Sequence, residues 1–205
     1  MNERNEIAAI ARSLYDRNYA FGTAGNISMR IGNRVLVTPT NSSFFNLVPE
    51  TLSEAGLDGS GLSGLPPSKE LPFHLAIYRR RPEARAVVHL HSCYATAVSC
   101  LENLNLEDAL PIYTPYFAMR LSCLPVAEYY PPGDPALALG VERAADLSNA
   151  MLLRNHGSIA FGRTLMEAAA LAEEIEEQAR LFFLLEGCGR TLSQAQVAEL
   201  RRRFR

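Results

Sequence analysis

The chain has 205 residues, 48% of them apolar and 20% charged, which is enough to bury one substantial core, so a single domain over residues 1–205 is expected. Lys and Arg number 20 against 22 Asp and Glu, a net charge of −2 that excludes the sequence-independent grip on phosphates typical of nucleic-acid binders. No run approaches the roughly 20 apolar residues of a membrane span, Met1 to Arg12 mixes charges of both signs, unlike a signal peptide, and Cys93, Cys100, Cys123 and Cys188 show no CxxC spacing, so a cytoplasmic protein with reduced, mostly packed cysteines is expected.

In chain order, Ile7, Ile10, Ala11, Leu14 and Tyr15 recur at helical spacing and predict an amphipathic helix from about Asn5 to Asn18. Ile27–Ile31 and Val35–Thr38 read as strands joined by Gly32-Asn33, residues that tolerate the positive φ of a tight hairpin. The Gly- and Ser-rich stretch from Ser53 to Ser68 reads as a loop. Ser68 is placed to cap a helix running to about Arg80, with Pro72 in its first turn. Ala84–His91 is rich in Val and Ala and predicts a buried strand, followed by a short helix over Tyr94–Leu101. Asp134 caps a helix to Leu147, and Ala150–Leu153 pairs with Ser158–Phe161 around Asn155-His156-Gly157. Helices over Leu165–Leu185 and Ser193–Arg203 complete the chain. Strands interleaved with helices, several joined as hairpins, indicate a mixed α/β layered fold with a largely antiparallel sheet.

The four histidines are the chemically suggestive residues. His89 and His91 flank Leu90 at a strand end, where residues two apart project to one face, so both imidazoles can hold one divalent cation while Leu90 packs into the core. His156 occupies a turn able to aim a side chain into a cleft. Glu70, at a helix start where first-turn amides favour anions, is the nearby carboxylate that can serve as base or displaceable ligand. His74, between Phe73 and Leu75, is assigned to packing or a supporting role.

Five ordered segments then resemble the class II aldolase/adducin family: Gly22-Thr23-Ala24-Gly25-Asn26-Ile27-Ser28-Met29-Arg30, Val37-Thr38-Pro39-Thr40-Asn41, Pro67-Ser68-Lys69-Glu70, Ala86-Val87-Val88-His89-Leu90-His91-Ser92 and Arg154-Asn155-His156-Gly157. The resemblance implies a three-layer α/β/α domain with a central, mainly antiparallel sheet and a homotetramer with active sites at subunit interfaces. It also implies one zinc per subunit, with manganese and cobalt as alternatives, on His89, His91 and His156, and Glu70 as acid/base carboxylate and further ligand. Asn26, Thr40, Asn41 and Ser68 are assigned by it to the phosphate pocket of a sugar-phosphate substrate. Small hydroxyl and amide donors on Gly-rich backbone suit such a group.

Departures from the family pattern bear on the reaction. Fuculose-phosphate aldolases resembling this chain carry Ser where Lys69 stands and Gly where Asn41 stands, and use a tyrosine near the carboxyl terminus, whereas no Tyr follows Tyr130 here. Pentulose-phosphate 4-epimerases place Asp at the position of Glu70. Ile112-Tyr113-Thr114-Pro115-Tyr116-Phe117-Ala118-Met119-Arg120 with Pro131-Pro132-Gly133-Asp134-Pro135 is most similar to the 3-oxo-tetronate 4-phosphate decarboxylases of the family. That subgroup implies loss of CO₂ through a zinc-stabilised enediolate to give dihydroxyacetone phosphate. Lys69 and Arg120 would bind substrate phosphate or carboxylate, and Tyr113 and Tyr116 are candidate acids or positioning groups. A firm grip on the carboxylate would stabilise the ground state, so a phosphate role is preferred for at least one of the two cations. Aldol cleavage of a deoxyketose 1-phosphate passes through the same enediolate and is the rival reading. Dehydration of a methylthioribulose-type phosphate and a non-catalytic, adducin-like assembly module are further alternatives.

Overall fold

The fold, described for residues 2–204 in a computed structural model, is organised by an alternating pattern in its middle strands. Successive residues of the strand Ala86–Leu90 (β5) are all buried, which is how a strand covered on both faces must read. Ala86, Val88 and Leu90 join one apolar cluster with Ile7, Ala11 and Leu14 of helix α1 (Glu3–Asp16) and with residues of Leu165–Leu184 (α6). Val87 joins the opposite cluster with Phe73, Ile77 and Tyr78 of Leu71–Arg80 (α2) and Leu137, Val141 and Ala145 of Pro135–Ala145 (α5). Helices therefore cover both faces, and the expected three-layer α/β/α arrangement is present. Cys93–Ser99 (α3) and Pro115–Arg120 (α4) lie on the α1 and α6 side. Gln194–Phe204 (α7) is tied to α4 by Arg201, whose guanidinium donates to the carbonyls of Ala118, Leu121 and Ser122.

Flanking β5 are Asn26–Ile31 (β1) and Gly157–Gly162 (β8). Outside β1 come Arg34–Val37 (β2), Ser53–Gly56 (β3) and Gly61–Ser63 (β4), and outside β8 come Ala150–Leu153 (β7) and Val126–Ala127 (β6). The sheet order is β4-β3-β2-β1-β5-β8-β7-β6, antiparallel throughout except for β6 beside β7. The β1–β2 hairpin turns on Gly32 at φ 59°, as its Gly-Asn dipeptide predicts.

Three expectations need correction. Ser53–Ser68 is not simply a loop. It contains β3 and β4, because Val35 pairs with Ala55 and Ala55 is fully buried in the α2-side cluster. The stability of that extension comes from pairing with β2, which local Gly and Ser content does not reveal. Ser68 does not hold the capping position of α2, which starts only at Leu71 with Glu70 before it; Ser68 instead closes the turn leading in, its Oγ accepting from the Glu70 N–H at 3.2 Å and its carbonyl from the Leu71 N–H at 3.0 Å. Cys93, Cys100 and Cys188 are exposed thiols instead of packed ones, and only Cys123 is half-buried, its thiol near the Leu147 carbonyl. The short α4 and two-residue β6 carry too little periodicity to be seen in the sequence. No helix among the described residues is long and apolar enough to cross a membrane.

Gly157 sits where β8 approaches β5 so closely that a Cβ would stand 2.3 Å from the Leu90 carbonyl oxygen. Gly157→Ala must therefore push backbone against backbone, at a cost of about 1–3 kcal/mol. Urea unfolding will show a lowered midpoint for this variant and little change for Gly61→Ala, where a Cβ meets no atom within 4 Å.

Candidate metal centre

Four elements deliver side chains to one end of the sheet. β5 carries His89 on the face opposite Leu90, packed edge-on against Phe73 of α2 with ring centroids 5.3 Å apart. His91 follows immediately after the strand. His156 comes from the β7–β8 turn, where Asn155 takes φ 54° and the His156 amide donates to the Leu153 carbonyl at 3.1 Å. Glu70 enters from the opposite side at the start of α2. One potential ligand atom from each of Glu70, His89, His91 and His156 lies within 4.8 Å of all the others.

The hydrogen bonding defines what this group can hold. His89 Nδ1 faces the Ser158 carbonyl at 2.9 Å, and since a carbonyl only accepts, that nitrogen carries the proton and Nε2 is bare. The bare Nε2 stands 2.8 Å from His91 Nε2. Either a shared proton or a cation has to lie between them. Burial pushes His89 down to about 4 and His91 down to about 3, the second also disfavoured by its imidazole neighbours, so both rings are neutral at pH 7. Glu70 Oε2 is 3.3 Å from His89 Nε2, and Oε1 is 3.1 Å from His156 Nε2. No donor is aligned on the buried Oε1. Burial raises the Glu70 pKa, but His89, His156 and the Asn26 amide outweigh it and hold the carboxyl well below the usual carboxylate range. A buried carboxylate oxygen without a donor, facing three converging imidazoles, is the donor set a tetrahedral divalent cation needs.

Of the other residues singled out in the sequence, Asn26 lies directly across from His89 in the β1–β5 register and donates from Nδ2 to Glu70 Oε2 at 2.7 Å. Thr40 N–H donates to the Pro66 carbonyl and Ser68 N–H to that of Thr38, which brings the Thr38–Asn41 segment against Pro66–Glu70. Asn41 takes φ 58°, the left-handed conformation that explains why glycine also suits this position. Lys69 is exposed beside Glu70, with its carbonyl close to Gly133 of the Pro-Pro-Gly-Asp turn. Within one chain, three residues stay apart from this group. Arg120 lines a cleft of about 670 Å³ with Arg163, Asn149 and Phe161, at the far end of β8 from His156. Tyr113 lies against Gly189, where its ring and Leu185 together fill the space a Cβ would take, and Tyr116 is largely exposed on α4.

His74 proves more than packing. It is fully buried, with Nε2 2.5 Å from Asn26 Oδ1 and Nδ1 2.7 Å from Ser28 Oγ, which in turn meets the Tyr78 hydroxyl at 2.7 Å. Ser28 and Tyr78 went unremarked in the sequence. The available signal was spacing: Ser28 shares a strand face with Asn26, and Tyr78 lies one helical turn after His74.

With this geometry in place, similarity to known proteins becomes informative. The profile of the "Class II Aldolase and Adducin N-terminal domain" family matches residues 5–183. The chain is 45% identical to a 3-oxo-tetronate 4-phosphate decarboxylase of Haemophilus influenzae, over 98% of this chain and 97% of that one. It is 37% identical to an L-fuculose phosphate aldolase of Methanococcus maripaludis, over 88% of this chain and 96% of that one. Among solved structures, Escherichia coli YgbL superposes with a TM-score of 0.94 at 44% identity over 97% of both chains. An L-fuculose 1-phosphate aldolase gives 0.89 at 27% identity, over 98% of this chain and 95% of that one.

Two measurements test the centre. Protein equilibrated with zinc and freed of excess will carry one ion per chain by elemental analysis, and His91→Ala will carry less than about a tenth of that, since one of three imidazoles is gone. The second is pH dependence without metal. Burial holds His74 at about 3 against an ordinary value of 6.5, so below pH 6.5 the unfolded chain takes up a proton that the folded chain excludes. Stability in chelator will be level above about pH 7 and fall towards pH 4, with His74 contributing a slope of about 1.4 kcal/mol per pH unit. Urea titrations of the native protein and His74→Leu will differ by that slope.

Proposed function

Because the chain belongs to the class II aldolase and adducin N-terminal domain family, we propose that it is a metal-dependent carbon–carbon lyase that decarboxylates a 3-oxo-tetronate 4-phosphate to dihydroxyacetone phosphate and CO₂. The observation that carries this reading is the convergence of His89, His91 and His156 on the buried Glu70 carboxylate, whose Oε1 has no aligned donor. Support for the substrate comes from identities of 45% and 46% to decarboxylases of H. influenzae and E. coli K12, against 37% to an aldolase.

Breaking the C1–C2 bond releases CO₂ and leaves an electron pair on C2, next to the C3 carbonyl. Zinc, with manganese and cobalt as alternatives, would be held by His89, His91, His156 and resting Glu70, and would supply the Lewis acidity that draws this pair onto oxygen. The chain's own residues do the rest. His89, with its proton pinned on Nδ1 by Ser158, presents only a lone pair to the centre. Asn26 holds Glu70 by Oε2, leaving Oε1 to take up a proton from water and deliver it to C2. Ser68, Thr40 and Asn41, at the same end of the sheet, would gather the phosphate, with the second Nδ2 proton of Asn26 left to support them and Lys69 adding a cation at the rim. The low proton affinity of Glu70 makes it a carboxylate at rest, able to leave the metal position as substrate arrives.

The proposal includes one domain over residues 1–205, a cytoplasmic location and a homotetramer with interfacial sites. In that assembly Arg120, Tyr113 and Tyr116, which one chain keeps away from the centre, would act from a neighbouring copy. Deoxyketose-phosphate aldol cleavage is the second reading, because the same electron pair and sink serve it. The presence of all three imidazoles and Glu70 weighs against a purely structural, adducin-like module.

Zinc-loaded protein offered a panel of 3-oxo-tetronate 4-phosphates and deoxyketose 1-phosphates will release CO₂ from the former and no aldehyde from the latter. Aldehyde release without CO₂ would replace the decarboxylase by the aldolase. Glu70→Gln will keep most of its zinc and lose at least about 100-fold in kcat, whereas full turnover in that variant would remove Glu70 from the proton path.

A further inference from the structure

Behind the centre lies a run of buried polar groups for which proton transfer at Glu70 has no direct use. Asn26, Ser28, His74 and Tyr78 sit between β1 and α2, His74 with no exposed surface and Asn26 with 5%. An apolar interior does not keep four such groups unless each is paired. Here each is paired, and the pairing has a direction.

Burial holds His74 down at about 3, so its ring is neutral and has one proton to place. Tyr78 Oη stands 2.7 Å from Ser28 Oγ, and the phenol, the more acidic of the two hydroxyls, is the better donor of that pair. Ser28 then spends its hydroxyl proton on His74 Nδ1, also at 2.7 Å. That leaves the His74 proton on Nε2, donated to Asn26 Oδ1 at 2.5 Å. With its carbonyl engaged there, Asn26 turns its NH₂ to Glu70 Oε2 at 2.7 Å. An amide flipped the other way would set its oxygen against an ionised carboxylate and its NH₂ against an N–H donor, two unfavourable contacts replacing two favourable ones.

We propose that His74, oriented by Ser28 and Tyr78, is a positioning residue that locks the Asn26 amide so that it donates to Glu70 and fixes the carboxylate with Oε1 towards the metal centre. His74 touches neither substrate nor metal. It acts through Asn26. The inference uses the site of the proposed function but requires only that Glu70 be a working carboxylate, whichever bond is cleaved.

The test has two arms. In the first, long-range ¹H–¹⁵N spectra of the imidazoles in zinc-loaded, unmutated protein will show His74 as a neutral ring protonated on Nε2. A ring protonated on Nδ1, or exchanging between tautomers, overturns the proposal. This arm uses no substrate, so it separates failure of the positioning role from failure of the decarboxylase reading. In the second, His74→Leu and His74→Gln are compared after both are shown to be folded and to carry one zinc per chain. Gln can place an N–H near the position of Nε2, whereas Leu cannot. The expected result is a 10–100-fold fall in kcat for Leu, with KM within about threefold, and recovery to within about fivefold of the native rate for Gln. Full activity in His74→Leu, or no recovery in His74→Gln, overturns the proposal. If Leu does not fold, Gln against the native protein together with the spectra still decides it.

Discussion

Two imidazole nitrogens 2.8 Å apart, one of them certainly without a proton, set the terms for the rest of this structure. Two bare lone pairs at that distance would repel, so either the His91 proton or a cation occupies the space between them. The carboxylate of Glu70, 3.3 Å from His89 and 3.1 Å from His156, supplies the negative charge that makes a cation the better occupant. The fold can thus be understood as a frame that forces four groups together and resists their moving apart.

The resistance comes from how each group is anchored. His89 is embedded in the central strand, with β1 and β8 hydrogen-bonded on either side and Phe73 against its ring. Its rotamer is held by the Ser158 carbonyl of β8, and its lateral position by Asn26 directly opposite on β1. His156 is placed by a turn closed between β7 and β8 and by contact with Ser99. Only Glu70 comes from outside the sheet, and it carries an additional support, the amide of Asn26, whose orientation depends on groups further into the core. Rigidity is concentrated at the three imidazoles, while the carboxylate sits at a helix start beside exposed Lys69.

This division explains why closely related lyases can share a centre and differ in reaction. Decarboxylation and aldol cleavage both leave an electron pair beside a carbonyl, and a cation with three neutral ligands stabilises either product of bond breaking. Selection must reside in what surrounds the leaving group. The departures of this chain from the aldolase pattern lie at the edges: exposed Lys69, whose carbonyl approaches Gly133, and α4 with Tyr116 and Arg120 on a separate part of the surface.

That His89 and His91 lie on one side of a strand end with Leu90 in the core was readable from residue order alone, because the period of two in a strand requires no knowledge of the rest of the chain. The same holds for the layered α/β class, the β1–β2 hairpin and the long α6, each written in local periodicity or turn chemistry. What only the tertiary structure decided depends on contacts between distant segments. Ser53–Ser63 becomes two strands because β2 offers it a partner, Ser68 closes a turn before the helix because its oxygens take the amides of Glu70 and Leu71, and Arg120 lies at the other end of the sheet from His156. The protonation pattern of His74 is of the same kind. It follows from two partners on β1, Asn26 and Ser28, the second backed by Tyr78 of α2, and no stretch of sequence contains the geometry that tells a ring which of its nitrogens must keep the proton.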